Sequence, residues 1–222
     1  MNADFAAQRM KMVEGQLRTT DVTNVDVLEA FASVPREAFV FSRRRDLAYI
    51  DEDIDISPPN GPGRFLMEPS PLAKLLQLAE IGHDDVVLDV GVGTGYSSAI
   101  LSRVAGSVIA LESDETLAKS AADTLSELGY DNVAVVNGDL TIGCAAEAPY
   151  DVIILQGAVD EVPAALMDQL KEGGRLVAVE GVGNAGVARL YVRKDGLVAS
   201  RRGFNAAIRP LPGFQRQPAF EF

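Results

Sequence analysis

The feature that most constrains the fold is the stretch VVLDVGVGTGY at residues 86–96, where a mostly apolar run leads into three alternating glycines. Such a run is typical of a strand buried on both faces of a parallel sheet. Glycine permits positive φ and lets a ligand approach the backbone closely. Since ligands of open α/β sheets bind beyond the carboxyl ends of the strands, the stretch predicts a first strand and a ligand site in the loop after it.

From residue 86 onward, short β-rich runs alternate with helical patterns. Such alternation indicates an α/β fold with a doubly wound, mostly parallel Rossmann-like sheet. Residues that flank Lys-Asp-Gly alternate in polarity over 186–204, which predicts a C-terminal antiparallel edge pair. Strands are predicted over residues 86–90, 107–111, 132–136, 150–155 and 174–181, and helices over residues 96–105, 115–129 and 162–174.

The first 80 residues follow a different pattern. Amphipathic helices are predicted over residues 24–34 and 69–80, on either side of a loop rich in Pro and Gly over residues 56–65. We therefore expect an N-terminal helical cap over residues 1–80, which carries the active-site loop and packs on an α/β domain over residues 81–222. The two parts are expected to form one structural unit.

Charge and hydropathy exclude several classes of function. The formal net charge of -12 argues against binding to nucleic acid and to anionic membranes. No apolar run reaches the roughly 18 residues that a membrane helix needs. The first residues, MNADFAAQRMKMVEG, lack the apolar segment of a signal peptide. A cytoplasmic protein is expected, and the oligomeric state is left open.

The chain contains one cysteine, Cys144, and one histidine, His83. This count excludes a zinc site built from several Cys and His ligands, and we expect no metal. It also excludes a Ser-His-Asp mechanism that does not use His83. Cys144 is expected to be a small buried apolar residue, and His83 is expected in a surface loop.

Acidic residues mark the ends of three successive predicted strands. Asp89 ends the first, and Glu112 follows the second, at about the 20-residue distance from Gly91 that ribose recognition requires. Glu112 is expected to accept hydrogen bonds from ribose hydroxyls, and Asp139 from an adenine amino group. The predicted cofactor-binding residues are Asp89, Gly91, Gly93, Gly95, Tyr96, Glu112, Ser113, Asp139 and Leu140.

The glycine pattern separates two nucleoside cofactors. A dinucleotide fingerprint ends in Gly or Ala, which allows close helix packing, whereas this chain has the bulky Tyr96 there. The loop is also expected to be rimmed by carboxylates and to have no nearby Lys or Arg, which suits a ligand without phosphates. S-adenosylmethionine, an adenosine with a cationic sulfonium and an amino-acid tail, is therefore the predicted cofactor in preference to NAD.

Residues 86–112 resemble the cofactor segment of class I methyltransferases, particularly the protein-L-isoaspartate O-methyltransferases. Residues 12–40, with their Val-Pro-Arg-Glu turn, and residues 47–56 resemble that family's N-terminal part, and the resemblance extends over about residues 10–185. It implies methylation of the α-carboxylate of isoaspartyl residues. The implied role is protein repair, and the implied partner is a damaged protein or peptide.

The chain departs from the family in the loop over the active site. Where the family has Gly-Gln-Thr-Ile-Ser, this chain reads GRFLM, so Phe65 replaces Thr and Met67 replaces Ser. Neither Phe nor Met can donate a hydrogen bond to a carboxylate. The predicted substrate-side residues are Arg64, Phe65, Met67 and Gln156. No catalytic residue is identified, and Arg64 is the single candidate.

Several readings of this departure stay open. Arg64 could clamp a substrate carboxylate, because a guanidinium offers two parallel donors, or it could simply face solvent. Phe65 and Met67 could block the site or simply pack the cap. The chain could then be a methyltransferase of isoaspartyl residues, a methyltransferase with another acceptor, or a non-catalytic nucleoside-binding protein.

Overall fold

The computed structural model describes residues 4–59, 61–181 and 183–215. The outer ends of the two predicted parts, residues 1–3 and 216–222, lie outside the described residues. The helices are α1 (Phe5–Met12), α2 (Val25–Ser33), α3 (Pro69–Ala79), α4 (Tyr96–Leu101), α5 (Glu115–Glu127) and α6 (Ala164–Met167). The strands are β1 (Ile54–Asp55), β2 (Phe65–Leu66), β3 (Val86–Val90), β4 (Ser107–Glu112), β5 (Val133–Asn137), β6 (Tyr150–Val159), β7 (Leu170–Glu180), β8 (Val187–Lys194) and β9 (Leu197–Asn205).

Seven strands form one sheet in the order β5-β4-β3-β6-β7-β8-β9. The pairs from β5 to β7 are parallel, and β8 and β9 are added antiparallel at the edge. The predicted doubly wound sheet with an antiparallel edge pair is confirmed. The strand order reverses beside β3, so the loop after β3 lies at the switch point where ligands of such sheets bind.

The terminal hairpin follows the predicted turn chemistry. Asp195 and Gly196 connect β8 to β9 with φ of 52° and 76°. Positive φ at both central residues is the requirement of a type I′ turn, whose twist matches that of the strands it joins. The Asp-Gly pair therefore sets the register of the edge.

The predicted helix over residues 162–174 is wrong in extent. Helix α6 ends at Met167, and β7 begins at Leu170, where the sequence pattern placed helix. Two observations explain the shorter helix: Tyr150 N donates to the carbonyl of Gln169 at 2.8 Å, and Gly173 has a φ of +80°. Pairing with β6 outweighs the helical spacing of the sequence. The predicted helix over 96–105 is also shorter, since α4 ends at Leu101.

The N-terminal part is helical, as predicted, with one helix that the sequence pattern did not indicate. Helix α1 continues into a π-helical segment over Val13–Leu17. Asn24 caps α2 by accepting from the Val27 amide at 3.0 Å. Short strands β1 and β2 pair antiparallel and bracket the Pro- and Gly-rich loop.

One hydrophobic core runs through the cap and one face of the sheet. It includes Phe31 of α2 and Leu75 of α3 together with Val87 and Ile154 of the central strands. The cap and the sheet pack against each other through this core. The predicted boundary between them at residue 80 stays a prediction. Among the described residues, no helix is both long enough and apolar enough to cross a membrane.

The structure tests the two expectations for the single Cys and His. Cys144 is less buried than expected: it is half-buried and packs against the core cluster on the second face of the sheet. The Tyr150 hydroxyl donates to its carbonyl. His83 lies in a surface turn, as expected, with its Nε2 3.8 Å from the Asp26 carboxylate.

Candidate functional site

Two glycines in the loop between β3 and α4, Gly93 and Gly95, have different roles. Gly93 has a φ of +58°, and its amide donates to the Glu112 carboxylate at 2.7 Å. Gly95 has a φ of +95°, and a Cβ there would lie 3.1 Å from the side chains of Ala121 and Leu125. Gly95 therefore allows the close packing on α5 that a dinucleotide fingerprint assigns to its last glycine.

Glu112 is the carboxylate toward which this loop is organised. It ends β4 with its side chain fully buried. Its oxygens accept from the amides of Gly93, Ser113 and Asp114 at 2.7, 2.8 and 3.0 Å. Backbone donors therefore hold the carboxylate in one orientation at the carboxyl end of the sheet.

A buried arginine also lies at this carboxylate. Arg64 Nη2 donates to Glu112 Oε2, and the Arg64 side chain is 4% exposed. Among the described residues its Nη1 has no hydrogen-bond partner, and burial lowers the pKa of the guanidinium. The expectation that no Lys or Arg lies near the loop is wrong, and so is the reading of Arg64 as a solvent-facing residue.

The backbone of the loop over residues 56–65 explains this position of Arg64. The Ile56 amide donates to the Arg64 carbonyl at 2.9 Å, and the Arg64 amide donates to Ser57 Oγ at 2.9 Å. These bonds fold the loop back over the sheet edge. A distance of 48 positions in sequence hid the contact between Arg64 and Glu112.

Asp89 lies in the interior and is surrounded by protein donors. Its carboxylate accepts from the hydroxyls of Ser97 and Ser98, each at 2.7 Å, and from Gln156 Nε2 at 2.6 Å. Burial raises its pKa to about 6, against the effect of these three hydrogen bonds. Asp89 therefore connects β3 to the start of α4 and to β6, and its contact with a cofactor stays a prediction.

A pocket of about 350 Å³ adjoins the end of β5, and its walls include three of the predicted cofactor-binding residues. Asp139 is exposed there, and its Oδ1 accepts from Thr141 N and Oγ1 at 2.8 and 2.7 Å, which lowers the pKa of Asp139. The lining residues are Ser113, Asn137, Gly138, Asp139, Leu140, Thr141, Pro212 and Gly213.

The predicted substrate-side residues lie together in a tightly packed region. A cavity of about 10 Å³ remains between Arg64, Phe65, Gln156 and the segment 209–212. Phe65 is half-buried and stacks under Arg209, whose Cζ lies 4.9 Å from the ring centroid. Met67 is buried among the core residues of the cap.

Two aliphatic side chains cover the glycine loop. A Cβ at Gly93 would lie 2.5 Å from Ile56 Cδ1, and a Cβ at Gly91 would lie 2.6 Å from Leu211 Cδ1. The close approach that the glycines allow is therefore made here by protein side chains. Ile56 lies at the start of the loop that carries Arg64, and Leu211 belongs to the C-terminal segment. Both segments therefore cover the glycine loop.

Tyr96 does not face the loop. Its ring is fully buried between the cap and the sheet, with centroids 6.1 Å from Phe31 and 5.7 Å from Phe39. The guanidinium of Arg36 lies 4.7 Å from its centroid, and burial raises the pKa of Tyr96 to about 12. A cofactor contact of the Tyr96 side chain stays a prediction that this position does not favour.

Arg36 holds the loop that carries Met67, a role that was not predicted from the sequence. It is fully buried, and it donates from Nε to the Ala48 carbonyl and from Nη2 to the Met67 carbonyl, both at 2.8 Å. The Val-Pro-Arg-Glu turn could have indicated it, because it places a charged residue in an apolar stretch. Such a residue is seldom buried without partners.

The groups at this site suit an adenosine ligand. Glu112 supplies a carboxylate at the strand end, the neighbouring pocket is open, and the glycine loop would be obstructed by any Cβ. Arg64, Ile56 and Leu211 are the side chains that must move for such a ligand to reach Glu112 and the glycine loop. Within the described ranges, no group of three or more His, Cys, Asp or Glu residues could hold a metal ion.

Comparison with known proteins gives consistent matches along the chain. The family described as protein-L-isoaspartate(D-aspartate) O-methyltransferase matches residues 7–211. A protein-L-isoaspartate O-methyltransferase of Koribacter versatilis (strain Ellin345) is 40% identical over 188 residues, which are 85% of this chain and 82% of the relative. One of Roseiflexus castenholzii (strain DSM 13941 / HLO8) is 38% identical over 210 residues, 95% of this chain and 94% of the relative. A solved structure of a protein-L-isoaspartate O-methyltransferase has a TM-score of 0.82 at 28% identity and covers 92% of this chain and 66% of that longer chain.

Proposed function

Because this chain belongs to the protein-L-isoaspartate O-methyltransferase family, we propose that it methylates the α-carboxylate of isoaspartyl residues in damaged proteins, with S-adenosylmethionine as methyl donor. The resemblance read from the sequence is thereby confirmed. The observation that carries the proposal is the buried Glu112 carboxylate, which three amides hold at the carboxyl end of β4, between the glycine loop after β3 and the open pocket at the end of β5. A cytoplasmic location stays a prediction from the sequence.

We assign cofactor binding to three groups of residues. Glu112 accepts from the ribose hydroxyls, since it is the buried acceptor at the end of β4. Asp139 and Leu140, with Ser113, form the walls of the pocket that suits an adenine ring. The loop with Gly91, Gly93 and Gly95 has its own amides bonded to Leu111, Glu112 and Val92, and it borders the remainder of the ligand through its bare backbone once Ile56 and Leu211 move aside.

The reaction demands little acid-base chemistry from the protein. S-adenosylmethionine supplies an electrophilic methyl group on a cationic sulfonium, and the acceptor oxygen takes this methyl while the sulfur keeps the electron pair of the broken bond. A carboxylate is ionised at pH 7 because its ordinary pKa is near 4, so no base is required. This agrees with the position of the single histidine, His83, in a surface turn on Asp26.

The chain's contribution is therefore to orient the acceptor and to exclude water. Holding two reactants in line can supply about 7–11 kcal/mol of the barrier. Arg64 is the residue we assign to the acceptor carboxylate, because its guanidinium lies between Glu112 and the cavity beside Phe65 and Gln156. Phe65 and Met67 supply apolar walls where the family has hydroxyl side chains.

One observation favours a second candidate, a nucleoside-binding protein without transfer activity. The acceptor-side cavity measures about 10 Å³, which is less than a carboxylate needs, whereas the adenine-side pocket is open at about 350 Å³. Under this reading Leu66 and Met67 stay packed, and the site binds ligand for sensing. A methyltransferase with a different acceptor would instead open the same cavity to another group.

A labelled transfer assay separates these candidates. The purified protein is incubated with methyl-labelled S-adenosylmethionine and an isoaspartyl peptide, with the aspartyl peptide of the same sequence as control. We expect label on the isoaspartyl peptide alone. Label on neither peptide, in protein that binds S-adenosylhomocysteine by calorimetry, would favour the binding protein or another acceptor. Failure of cofactor binding at millimolar ligand would contradict the proposed function as a whole.

A further inference from the structure

The contact between Arg64 and Glu112 has a second consequence. Arg64 belongs to the loop over the acceptor side, whereas Glu112 belongs to the cofactor side. The Nη2 of Arg64 donates to the same oxygen, Oε2, that accepts from Gly93, while Oε1 accepts from the amides of Ser113 and Asp114 and, at 3.4 Å, from Ser113 Oγ. Oε2 thus already has two donors and Oε1 three, and hydroxyls of a ribose must replace at least one of them.

On Oε2 the replaceable donor is the arginine. The three amides belong to the glycine loop and to the turn after β4, which the sheet holds in place. Arg64 reaches Glu112 from a loop whose own bonds, to Ser57 and Ile56, are independent of the ion pair. A side chain can rotate away at a smaller cost than a strand end can move.

The displaced guanidinium has a use. Among the described residues its Nη1 has no partner although the side chain is 4% exposed, and displacement would free Nη2 as well. A buried guanidinium with two free donors binds a carboxylate in a two-bond geometry. The acceptor in the proposed reaction is such a carboxylate, and the cavity beside Arg64 faces Phe65 and Gln156.

We propose that Arg64 couples the two ligands: it neutralises Glu112 until ribose hydroxyls take its place, and it then binds the carboxylate of the acceptor. This inference rests on the proposed function and adds a positioning and specificity role for Arg64. It predicts that cofactor and acceptor bind with positive cooperativity, since each stabilises the same position of Arg64. Such coupling must be reciprocal between the two ligands.

Calorimetry with S-adenosylhomocysteine and with adenosine tests the first half of the inference. Arg64→Gln removes the competitor for Glu112, so we expect both ligands to bind about tenfold more tightly than to the unchanged protein, within the range typical of coupled sites. Arg44→Gln is the matched control, because it breaks an ion pair with Asp55 at the base of the same loop without touching Glu112. Equal or weaker binding by Arg64→Gln would overturn the inference while leaving the proposed function intact.

The acceptor tests the second half. In the unchanged protein, a saturating isoaspartyl peptide should lower the Kd for S-adenosylhomocysteine about tenfold, and in Arg64→Gln this effect should disappear. Peptide enhancement of the same size in both proteins would show that another residue couples the ligands. If neither protein binds S-adenosylhomocysteine at millimolar ligand, both the inference and the proposed function fail.

Discussion

Arg36 Nη2 donates to the main-chain carbonyl of Met67 at 2.8 Å, and this contact joins the helical cap to the loop that covers the acceptor side. Its Nε holds the Ala48 carbonyl at the same distance. The guanidinium is fully buried, and its pKa is lowered by that burial. The position of the acceptor loop therefore depends on a residue outside the loop.

Replacing Arg36 by Met should destabilise the fold. Two buried carbonyls would lose their donors, and each unsatisfied group costs about 1–3 kcal/mol, so we expect a loss of roughly 2–6 kcal/mol in the free energy of unfolding. Urea denaturation followed by circular dichroism measures it. Arg36→Lys keeps the charge and a donor but not the forked geometry, so its loss should be smaller. Equal stability of Arg36→Met and the unchanged protein would show that water replaces both contacts.

Glu112→Gln should weaken cofactor binding. An amide keeps the size of the side chain but lacks the charge that strengthens hydrogen bonds, which are worth about 1.5–3 kcal/mol when one partner is ionised. We expect the Kd for S-adenosylhomocysteine to rise roughly 10- to 100-fold. Glu14→Gln, at an exposed carboxylate paired with Arg18, is the control. An unchanged Kd in Glu112→Gln would remove the ribose contact from the proposal.

Gly93→Ala and Gly129→Ala form a matched pair for the glycine loop. Both glycines have positive φ, +58° and +73°, so both variants should lose about 1 kcal/mol of stability to backbone strain. A Cβ at Gly93 also meets Ile56 Cδ1 at 2.5 Å, whereas a Cβ at Gly129 meets nothing within 4 Å. We expect Gly93→Ala alone to lose affinity for S-adenosylhomocysteine. Parallel loss of affinity in both variants would assign the effect to general destabilisation.

Asp89 should make stability fall as pH rises. Its pKa in the folded protein is about 6, above the ordinary 3.8, because burial disfavours the charge. The folded protein therefore holds a proton that the unfolded chain has released between these values. This contribution is complete below about pH 4 and is lost as the pH rises through about 6.

Urea denaturation of the unchanged protein and of Asp89→Asn between pH 4 and 7.5 measures this effect. The stability of the unchanged protein relative to Asp89→Asn should fall by about 2–3 kcal/mol over that range, since one pKa unit corresponds to about 1.4 kcal/mol. The comparison uses the slope of the unfolding free energy against pH. The pH-independent cost of replacing Asp89, which accepts three hydrogen bonds, therefore cancels. A difference that is independent of pH would show that Asp89 titrates near its ordinary pKa.

The sequence alone was sufficient for those elements in which local pattern and tertiary environment agree. Strand β3 has the predicted bounds, and the hairpin turn lies at Asp195-Gly196, as the sequence predicted. It was insufficient where long-range pairing overrides a local preference. Residues 170–174 have helical spacing, yet they extend β7 because β6 offers hydrogen bonds at Tyr150.

The candidate site divides in the same way. The glycines, Glu112 and Asp139 could be located from sequence, because the carboxyl ends of neighbouring parallel strands always meet at one edge of the sheet. What only the tertiary structure decided is what lies against them. Arg64 pairs with Glu112, Arg36 holds Met67, and Asp89 is enclosed by Ser and Gln donors. These contacts depend on how loops far apart in sequence fold over the sheet edge, and no periodicity in the sequence encodes that.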